Sequence, residues 1–338
     1  MKKIKIAQIG TSRYSHGCSI FASLTKQSDI FEIVGYALPE NEREKFPNEI
    51  RCFEGYREMT VEEILSDPEI EAVAVETEEI YLLKYALMVA KAGKHLHMEK
   101  PGSPSLADFR ALVSLLKEKK LAFSLGYMYR FNPKVKEALT RIKNGELGEI
   151  FAVEAEMCSK HSKEIREWLH CFPGGITFFL GCHLIDLVYQ IQGAPQKIIP
   201  LNSKTGFDGL DCYDFGMAVF KYDRGISFIK TASTEVGGFS SRYLRITGER
   251  GSIEIKPLEY YPRLPESDAQ IAVMSECFDA KTWQAEWQTA KSEEFDRYDD
   301  MMRHFAEVVR GKENPYSYDY ELGLFEIIMN ACQEEKTV

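Results

Sequence analysis

The stretch that decides the fold is Ala92-Gly93-Lys94-His95-Leu96-His97-Met98-Glu99-Lys100-Pro101. Apolar residues at helical spacing run from Ile80 to Ala92 and stop at Gly93, a natural helix end because glycine enters the left-handed region without strain. His95 to Glu99 then reads as a short buried strand, finished by Glu99-Lys100-Pro101. An acid and an amine at the carboxyl end of such a strand sit where open α/β sheets hold their ligands. Lys100 is therefore a candidate proton-handling group.

Working outward, strands and helices alternate. Lys3 to Gly10 is a strand and Gly17 to Ser28 a helix; Phe31 to Leu38 is a strand, Val61 to Asp67 a short helix and Ile70 to Glu76 a strand. Downstream, a helix over Ser105 to Lys119 leads into a strand over Leu121 to Gly126. This order predicts a parallel, doubly wound sheet of Rossmann type over residues 1–125. The remainder, 126–338, changes character. A helix spans Pro133 to Asn144, and strands follow at Ile150 to Ser159, Lys197 to Leu201, Tyr213 to Lys221, Gly225 to Val236, Tyr243 to Thr247 and Gly251 to Ile255. Phe215, Ala218 and Phe220 against polar neighbours suit a sheet with one solvated or partner-covered face. A helix over Phe179 to Gln192 interrupts the strands, and helices over Asp296 to Arg310 and Tyr320 to Cys332 close the chain.

With 338 residues, 44% of them hydrophobic, there is material for two cores. The net charge of -10 argues against nucleic acid or an anionic membrane as a partner. No apolar run approaches membrane-helix length, and Met1-Lys2-Lys3-Ile4-Lys5-Ile6 leads straight into a strand, so the expected location is cytoplasmic. Eight cysteines without a C-x-x-C pair read as free thiols, not a disulfide frame or zinc site.

Gly10-Thr11-Ser12-Arg13-Tyr14-Ser15-His16-Gly17 occupies the strand-to-helix turn where a dinucleotide-binding G-x-G-x-x-G sits. Only the first glycine is present; Ser12 and Ser15 stand at the second and third positions. The helix amino terminus still attracts a pyrophosphate, but a plain tight turn is an equal reading of the motif by itself. Gly10, Thr11, Ser12, Tyr14 and Ser15 are the candidate cofactor contacts here. The second strand ends Tyr36-Ala37-Leu38-Pro39 with no carboxylate to grip a ribose, and Leu38 is the candidate at that tip. Glu40 and Glu42 lie just beyond, as do Arg43 and Lys45, which suit a 2′-phosphate, so NAD and NADP both stay open.

At Glu99-Lys100-Pro101 the chain resembles the Gfo/Idh/MocA oxidoreductases. The likeness continues through Gly126-Tyr127-Met128-Tyr129-Arg130-Phe131-Asn132-Pro133, Gly145-Glu146-Leu147-Gly148-Glu149-Ile150, Gly174-Gly175 and Gly181-Cys182-His183-Leu184-Ile185-Asp186. It ends with the Gly248-to-Gly251 turn and His304-Phe305. The resemblance implies a Rossmann domain followed by an α+β domain with a large, open, mostly antiparallel sheet whose outer face builds homodimers or homotetramers. It implies NAD or NADP as cofactor and a sugar, cyclitol or sugar derivative as substrate.

By the same resemblance, Lys100 and His183 are the catalytic pair, sharing proton transfer at the reacting hydroxyl. Thr77, Glu79, Glu99 and Lys100 would meet the cofactor, and Asp186 would orient structure. Tyr129, Arg130, His161 and Trp168, with Lys100 and His183, are the substrate-binding candidates; His170 and Arg166 share the loop Lys160 to His170. An aromatic face stacks on a pyranose while polar groups bond its hydroxyls. His161, His170 and His183 are read as unrelated, so no metal is expected. Two departures stand out. Phe179 occupies the place of a catalytic aspartate, and Thr77-Glu78-Glu79 stands where the family reads Thr-Pro-Asn, with Leu82 for a histidine shortly after. The leading expectation is an NAD(P)-dependent oxidoreductase with an atypical site. The alternatives are a redox-neutral sugar lyase or hydrolase using bound NAD, and a non-catalytic binding or assembly subunit.

Overall fold

The parallel sheet forms where the alternation of strand and helix places it. In a computed structural model, which describes residues 2–12, 16–262, 269–278 and 286–333, β1 (Ile4–Ile9), β2 (Phe31–Ala37), β3 (Ala72–Val75), β4 (His95–Met98) and β5 (Phe123–Leu125) pair in the order β2-β1-β3-β4-β5, all parallel. The crossovers carry α1 (Gly17–Lys26), α2 (Glu42–Lys45), α3 (Val61–Ser66), α4 (Leu82–Lys91) and α5 (Leu106–Glu118). All four residues of β3 are buried, as a central strand of a parallel sheet requires. α4 buries Leu82, Tyr85, Ala86, Val89 and Ala90, a stripe at helical spacing. Thr60 and Glu63 cap α3 reciprocally, the Glu63 N–H donating to Thr60 Oγ1 at 3.1 Å and the Thr60 N–H to Glu63 Oε2 at 2.7 Å. Because β1 has β2 on one side and β3 on the other, the ends of β1 and β3 flank the switch point where such sheets bind ligands.

The second sheet is built from β6 (Ile150–Cys158), β7 (Lys197–Ser203), β8 (Phe215–Lys221), β9 (Ile226–Ala232), β10 (Tyr243–Gly248), β11 (Gly251–Ile255), β12 (Val273–Phe278) and β13 (Gln288–Lys291). Its order is β13-β12-β11-β10-β6-β9-β8-β7, antiparallel except for the β6–β9 pair. The helices of this part are α6 (Pro133–Lys143), α7 (Lys163–Trp168), α8 (Cys182–Gln192) and α9 (Gly238–Ser241). This is the Rossmann sheet followed by an α+β part with a large, mostly antiparallel sheet that the sequence implies.

Three features differ from the sequence reading. β12 and β13 were not expected: β13 reads Gln-Thr-Ala-Lys and is fully exposed, so its strand state comes from pairing with β12 rather than from apolar alternation. α7 lies inside the stretch read as a loop, with Ser162 Oγ accepting from the Ile165 N–H at 3.3 Å. The helix expected from Phe179 becomes regular only at Cys182, because Thr177–Gly181 is a π-helical turn.

The domain boundary also differs in one respect. Contacts divide the chain into residues 1–128 with 298–325, and 129–297 with Glu326 onward, whereas the sequence placed everything from 126 to 338 in one domain. α10 (Asp299–Val309) and the start of α11 (Tyr318–Ala331) thus pack with the parallel sheet. The reason is apolar burial and polar pairing: Phe325 lies 4.3 Å from Phe109 between ring centroids, and Phe305 5.8 Å from His97. Asn314 Nδ2 donates to the Phe123 carbonyl at 3.0 Å. Among the described residues no helix is long and apolar enough to cross a membrane.

Candidate functional site

In the first unit the loop after β1 is pressed onto the end of β3. Gly10 has φ of +88°, and a Cβ added there would meet Thr77 Cγ2 at 2.4 Å and Thr77 N at 2.6 Å, so only glycine fits. The Gly10 N–H donates to Ala37 O at 2.8 Å and the Ser12 N–H to Glu76 O at 3.2 Å. The Gln8 amide donates to the carbonyls of both Gly10 and Gly17 at 3.0 Å, clamping the two ends of the loop. Tyr14 and Ser15 lie outside the described residues.

Glu42 is a residue whose role the sequence left open. It is 1% exposed, and its Oε2 accepts from the Thr11 N–H at 2.9 Å. Burial pushes its carboxyl up to about 8, against the opposing pull of the Thr11 N–H. Left-handed Glu40 and Asn41 (φ of 57° and 59°) turn the chain just before it. Arg43 and Glu40 are taken up elsewhere, Arg43 by Glu58 and Glu40 Oε1 by the Tyr85 hydroxyl at 2.6 Å and by Lys84. Leu38 is half-buried and lines a cavity of about 440 Å³ with Pro39, Thr60, Lys84 and Tyr85. With the described loop N–H groups of Gly10, Thr11 and Ser12 committed to protein acceptors, an anion would be met by the amino end of α1.

The ends of β3 and β4 gather three acids around one amine. Glu76, Glu79 and Glu99 are 0, 2 and 1% exposed, and Lys100 is 2% exposed with its Nζ 3.3 Å from Glu99 Oε1. The Lys100–Pro101 peptide is cis. Gly126 lets Glu99 lie flat against it: an added Cβ would sit 2.8 Å from Glu99 Oε2. Burial raises all three carboxyls. Glu79 reaches about 8 with Lys100 opposing, and Glu76 is raised further by repulsion from Glu99 and Glu79. Beneath them His97 shares a hydrogen bond of 2.8 Å between its Nδ1 and Ser124 Oγ, and burial depresses it to about 3, so it is neutral. With Glu79 raised to about 8, this cluster holds a proton at neutral pH beside Lys100.

These residues fit a nicotinamide dinucleotide. Thr77 Oγ1 and both carboxyl oxygens of Glu79 are buried without a hydrogen-bond partner, which costs free energy unless a bound molecule supplies one. Ribose hydroxyls are of the right chemistry for both.

The second unit collects the other candidates. His183 is on the first turn of α8, 2% exposed, with the Tyr129 ring edge-on at 5.1 Å between centroids. The Tyr129 hydroxyl donates to Glu259, which also takes Arg242 at 3.2 Å and Arg297 at 2.6 Å. Arg130 is engaged by Asp186, its Nε 3.0 Å from Oδ2 and its Nη2 2.8 Å from Oδ1, both residues buried. That pair fixes α8 one turn beyond His183. His161 and Trp168 come together on Phe179, at 6.3 and 5.3 Å between centroids, with Phe172 packed on Trp168 at 4.7 Å. Phe179 thus anchors an aromatic surface from the π-helical turn. His170 does not join this set; its Nδ1 lies 3.0 Å from Asp211 O. Arg166 is buried and bound to Asp208.

Sequence reasoning missed Gln8, Glu42, Glu76 and Glu259. The signal for Gln8 and Glu76 was a polar residue inside or closing a buried apolar run; Glu42 was noticed only as an acid beyond the second strand, its bond to the Thr11 N–H unseen, and Glu259 left no signal, because its partners lie far away in sequence.

Residues 4–127 match the model of an oxidoreductase family with an NAD-binding Rossmann fold, and residues 135–254 match that of the GFO/IDH/MocA C-terminal domain. The chain is similar to the uncharacterized oxidoreductase YhhX of Escherichia coli, 32% identical over 142 residues that cover 41% of this chain and 40% of that protein. It is similar to the scyllo-inositol 2-dehydrogenase (NAD(+)) of Bacillus subtilis, 24% identical over 77% of this chain and 73% of the relative. The chain spans about half the length of the first curated relatives it matches. Among solved structures, a putative NADPH-dependent oxidoreductase from Desulfitobacterium hafniense has the same fold, with a TM-score of 0.84 at 18% identity, covering 98% of this chain and 95% of that one.

Proposed function

The chain belongs to the Gfo/Idh/MocA oxidoreductases, with an NAD-binding Rossmann unit, and on that premise we propose that it moves a hydride between NAD or NADP and a hydroxyl or carbonyl carbon of a sugar, cyclitol or sugar derivative. The bound nicotinamide supplies or accepts the hydride. The protein's part is orientation and proton transfer. The observation that carries the proposal is Lys100, buried to 2% at the carboxyl edge of the parallel sheet with Glu99 at 3.3 Å and the Glu79 carboxyl within its electrostatic reach. In its amine form Lys100 takes the proton of the substrate hydroxyl; as an ammonium it is balanced by whichever of the three acids is ionised. Thr77 Oγ1 and the Glu79 carboxyl are the groups for the cofactor's ribose.

His183 is the second catalytic candidate, a buried imidazole braced by the Tyr129 ring. Phe179 takes no proton; with His161 and Trp168 it offers an aromatic surface of the kind that stacks on a pyranose. The cyclitol substrate in the name of the Bacillus subtilis relative supports a polyol class. The outer face of the eight-stranded sheet is the proposed contact of a homodimer or homotetramer.

The test is titration of the wild-type protein and Lys100→Met with NADH and NADPH by nucleotide fluorescence, then assay with sugars and cyclitols. Expected is binding of at least one nucleotide by both proteins, with turnover lowered roughly 10²–10⁴-fold in the variant. Failure of both nucleotides to bind, or full turnover without Lys100, would overturn the proposal. Product formed with no change in nicotinamide redox state would favour the lyase or hydrolase alternative.

A further inference from the structure

Two half-buried cysteines meet beside the loop that follows β1. Cys18 is the second residue of α1, and its Sγ donates to the Glu49 carbonyl at 2.8 Å. Cys52, in the 3-10 turn Glu49–Phe53, donates to the same carbonyl at 3.1 Å. Two thiols converging on one acceptor lie side by side. The Cys18 Sγ is also 3.6 Å from Thr11 Oγ1, in the loop itself.

We propose that Cys18 and Cys52 form an oxidant-reactive dithiol site, in which the Cys18 thiolate attacks hydrogen peroxide and Cys52 resolves the product to a disulfide. The Cys18 thiolate takes one peroxide oxygen; an S–O bond forms, the O–O bond breaks, and hydroxide leaves to be protonated to water. Cys52 sulfur then displaces the sulfenic oxygen; the S–S bond forms and a second water leaves. The two sulfurs are oxidised by two electrons in total, and the peroxide is reduced to two waters.

The surroundings favour Cys18 as the attacking thiolate. Its pKa is drawn below the ordinary thiol value chiefly by the Cys52 thiol beside it, with the Thr11 hydroxyl adding and burial and the Glu49 carboxylate opposing. Its place in the first turn of α1 adds the helix dipole. Of the others, Cys158, Cys182, Cys212, Cys277 and Cys332 are buried, and burial pushes Cys158 up to about 12 and Cys332 well up. Cys171 is exposed and is the internal competitor. Forming the disulfide removes the Cys18 S–H and displaces its Sγ, which disturbs the 3.6 Å contact with Thr11 Oγ1 in the loop. That last consequence rests on the reading of Gly10–Ser12 as the cofactor loop.

The experiment exposes reduced wild-type protein, Cys18→Ser and Cys52→Ser to stoichiometric hydrogen peroxide near neutral pH, maps the peptides under non-reducing conditions by mass spectrometry, and measures affinity for NADH or NADPH, whichever the reduced protein binds. Expected is a Cys18–Cys52 crosslinked peptide in the wild type, a dimedone-trapped sulfenic acid at Cys18 in Cys52→Ser, and Cys52 left as thiol in Cys18→Ser. The dissociation constant of that nucleotide should rise roughly threefold or more on oxidation, the effect of one lost hydrogen bond, and recover with dithiothreitol. Oxidation confined to Cys171, or equal oxidation of Cys52 without Cys18, overturns the site. A crosslink that leaves the affinity for that nucleotide unchanged overturns the link to the loop, while reduced protein that binds neither NADH nor NADPH points instead to a failure of the proposed function.

Discussion

Replacing Glu79 by glutamine should stabilise the protein, and do so more as pH rises. Glu79 is 2% exposed and neither carboxyl oxygen has a partner. Burial holds its carboxyl up at about 8 instead of 4.5; Lys100 pulls it down, and Glu99 and Glu78 push it up. Between those two values the folded chain keeps a proton that the unfolded chain has released, so rising pH favours unfolding. The penalty is absent below the unfolded value, grows by about 1.4 kcal/mol per pH unit, and is complete once pH passes the folded value. Over the whole shift it amounts to roughly 5 kcal/mol, an upper figure comparable to the net stability of a domain. Glutamine keeps the shape and has no proton to lose. The assay is urea unfolding of the cofactor-free protein followed by circular dichroism at several pH values from about 5 to 9, wild type against Glu79→Gln. The stability difference should widen by several kcal/mol in favour of the variant toward pH 8. In a Lys100→Met background the widening should extend to higher pH, because the ammonium no longer favours ionised Glu79. A difference that stays constant across this range would refute the assignment of Glu79 as a buried, proton-holding acid.

Two further outcomes follow from packing alone. Gly10→Ala places a Cβ within 2.6 Å of Thr77 N and holds a non-glycine at φ of +88°, so it should cost about 2 kcal/mol or more and weaken nucleotide binding together, read by thermal melting and NADH titration. Arg130→Met removes the bidentate guanidinium partner of the Asp186 carboxylate, which is 1% exposed and also accepts from the Gln190 amide at 2.9 Å, and should cost about 3–5 kcal/mol; Arg130→Met with Asp186→Leu should cost much less than the two single changes added, in a double-mutant cycle.

The sheet around Lys100 was legible in the sequence because its signals are local. Buried parallel strands are continuous apolar runs, α4 carries its stripe at helical spacing, and Gly93 ends it. The same locality explains the misses. β13 has no apolar alternation and is a strand only because β12 supplies its hydrogen bonds. The placement of α10 with the parallel sheet depends on Phe305 and Phe325 finding His97 and Phe109 across some two hundred residues of chain, a meeting that no window of sequence contains.

By itself the sequence determined the order of elements, the glycine that the β1 turn requires, and the residue types that proton chemistry needs at the sheet edge. Periodicity and backbone preference act over a few residues, and they are written where they act. Only the tertiary structure decided the states of those residues. It surrounded Lys100 with three acids raised by burial, set Glu42 on the Thr11 N–H, tied Arg130 to Asp186 and packed His161 and Trp168 on Phe179. Desolvation and pairing depend on neighbours brought from distant parts of the chain, so the charge a group carries is a property of the fold.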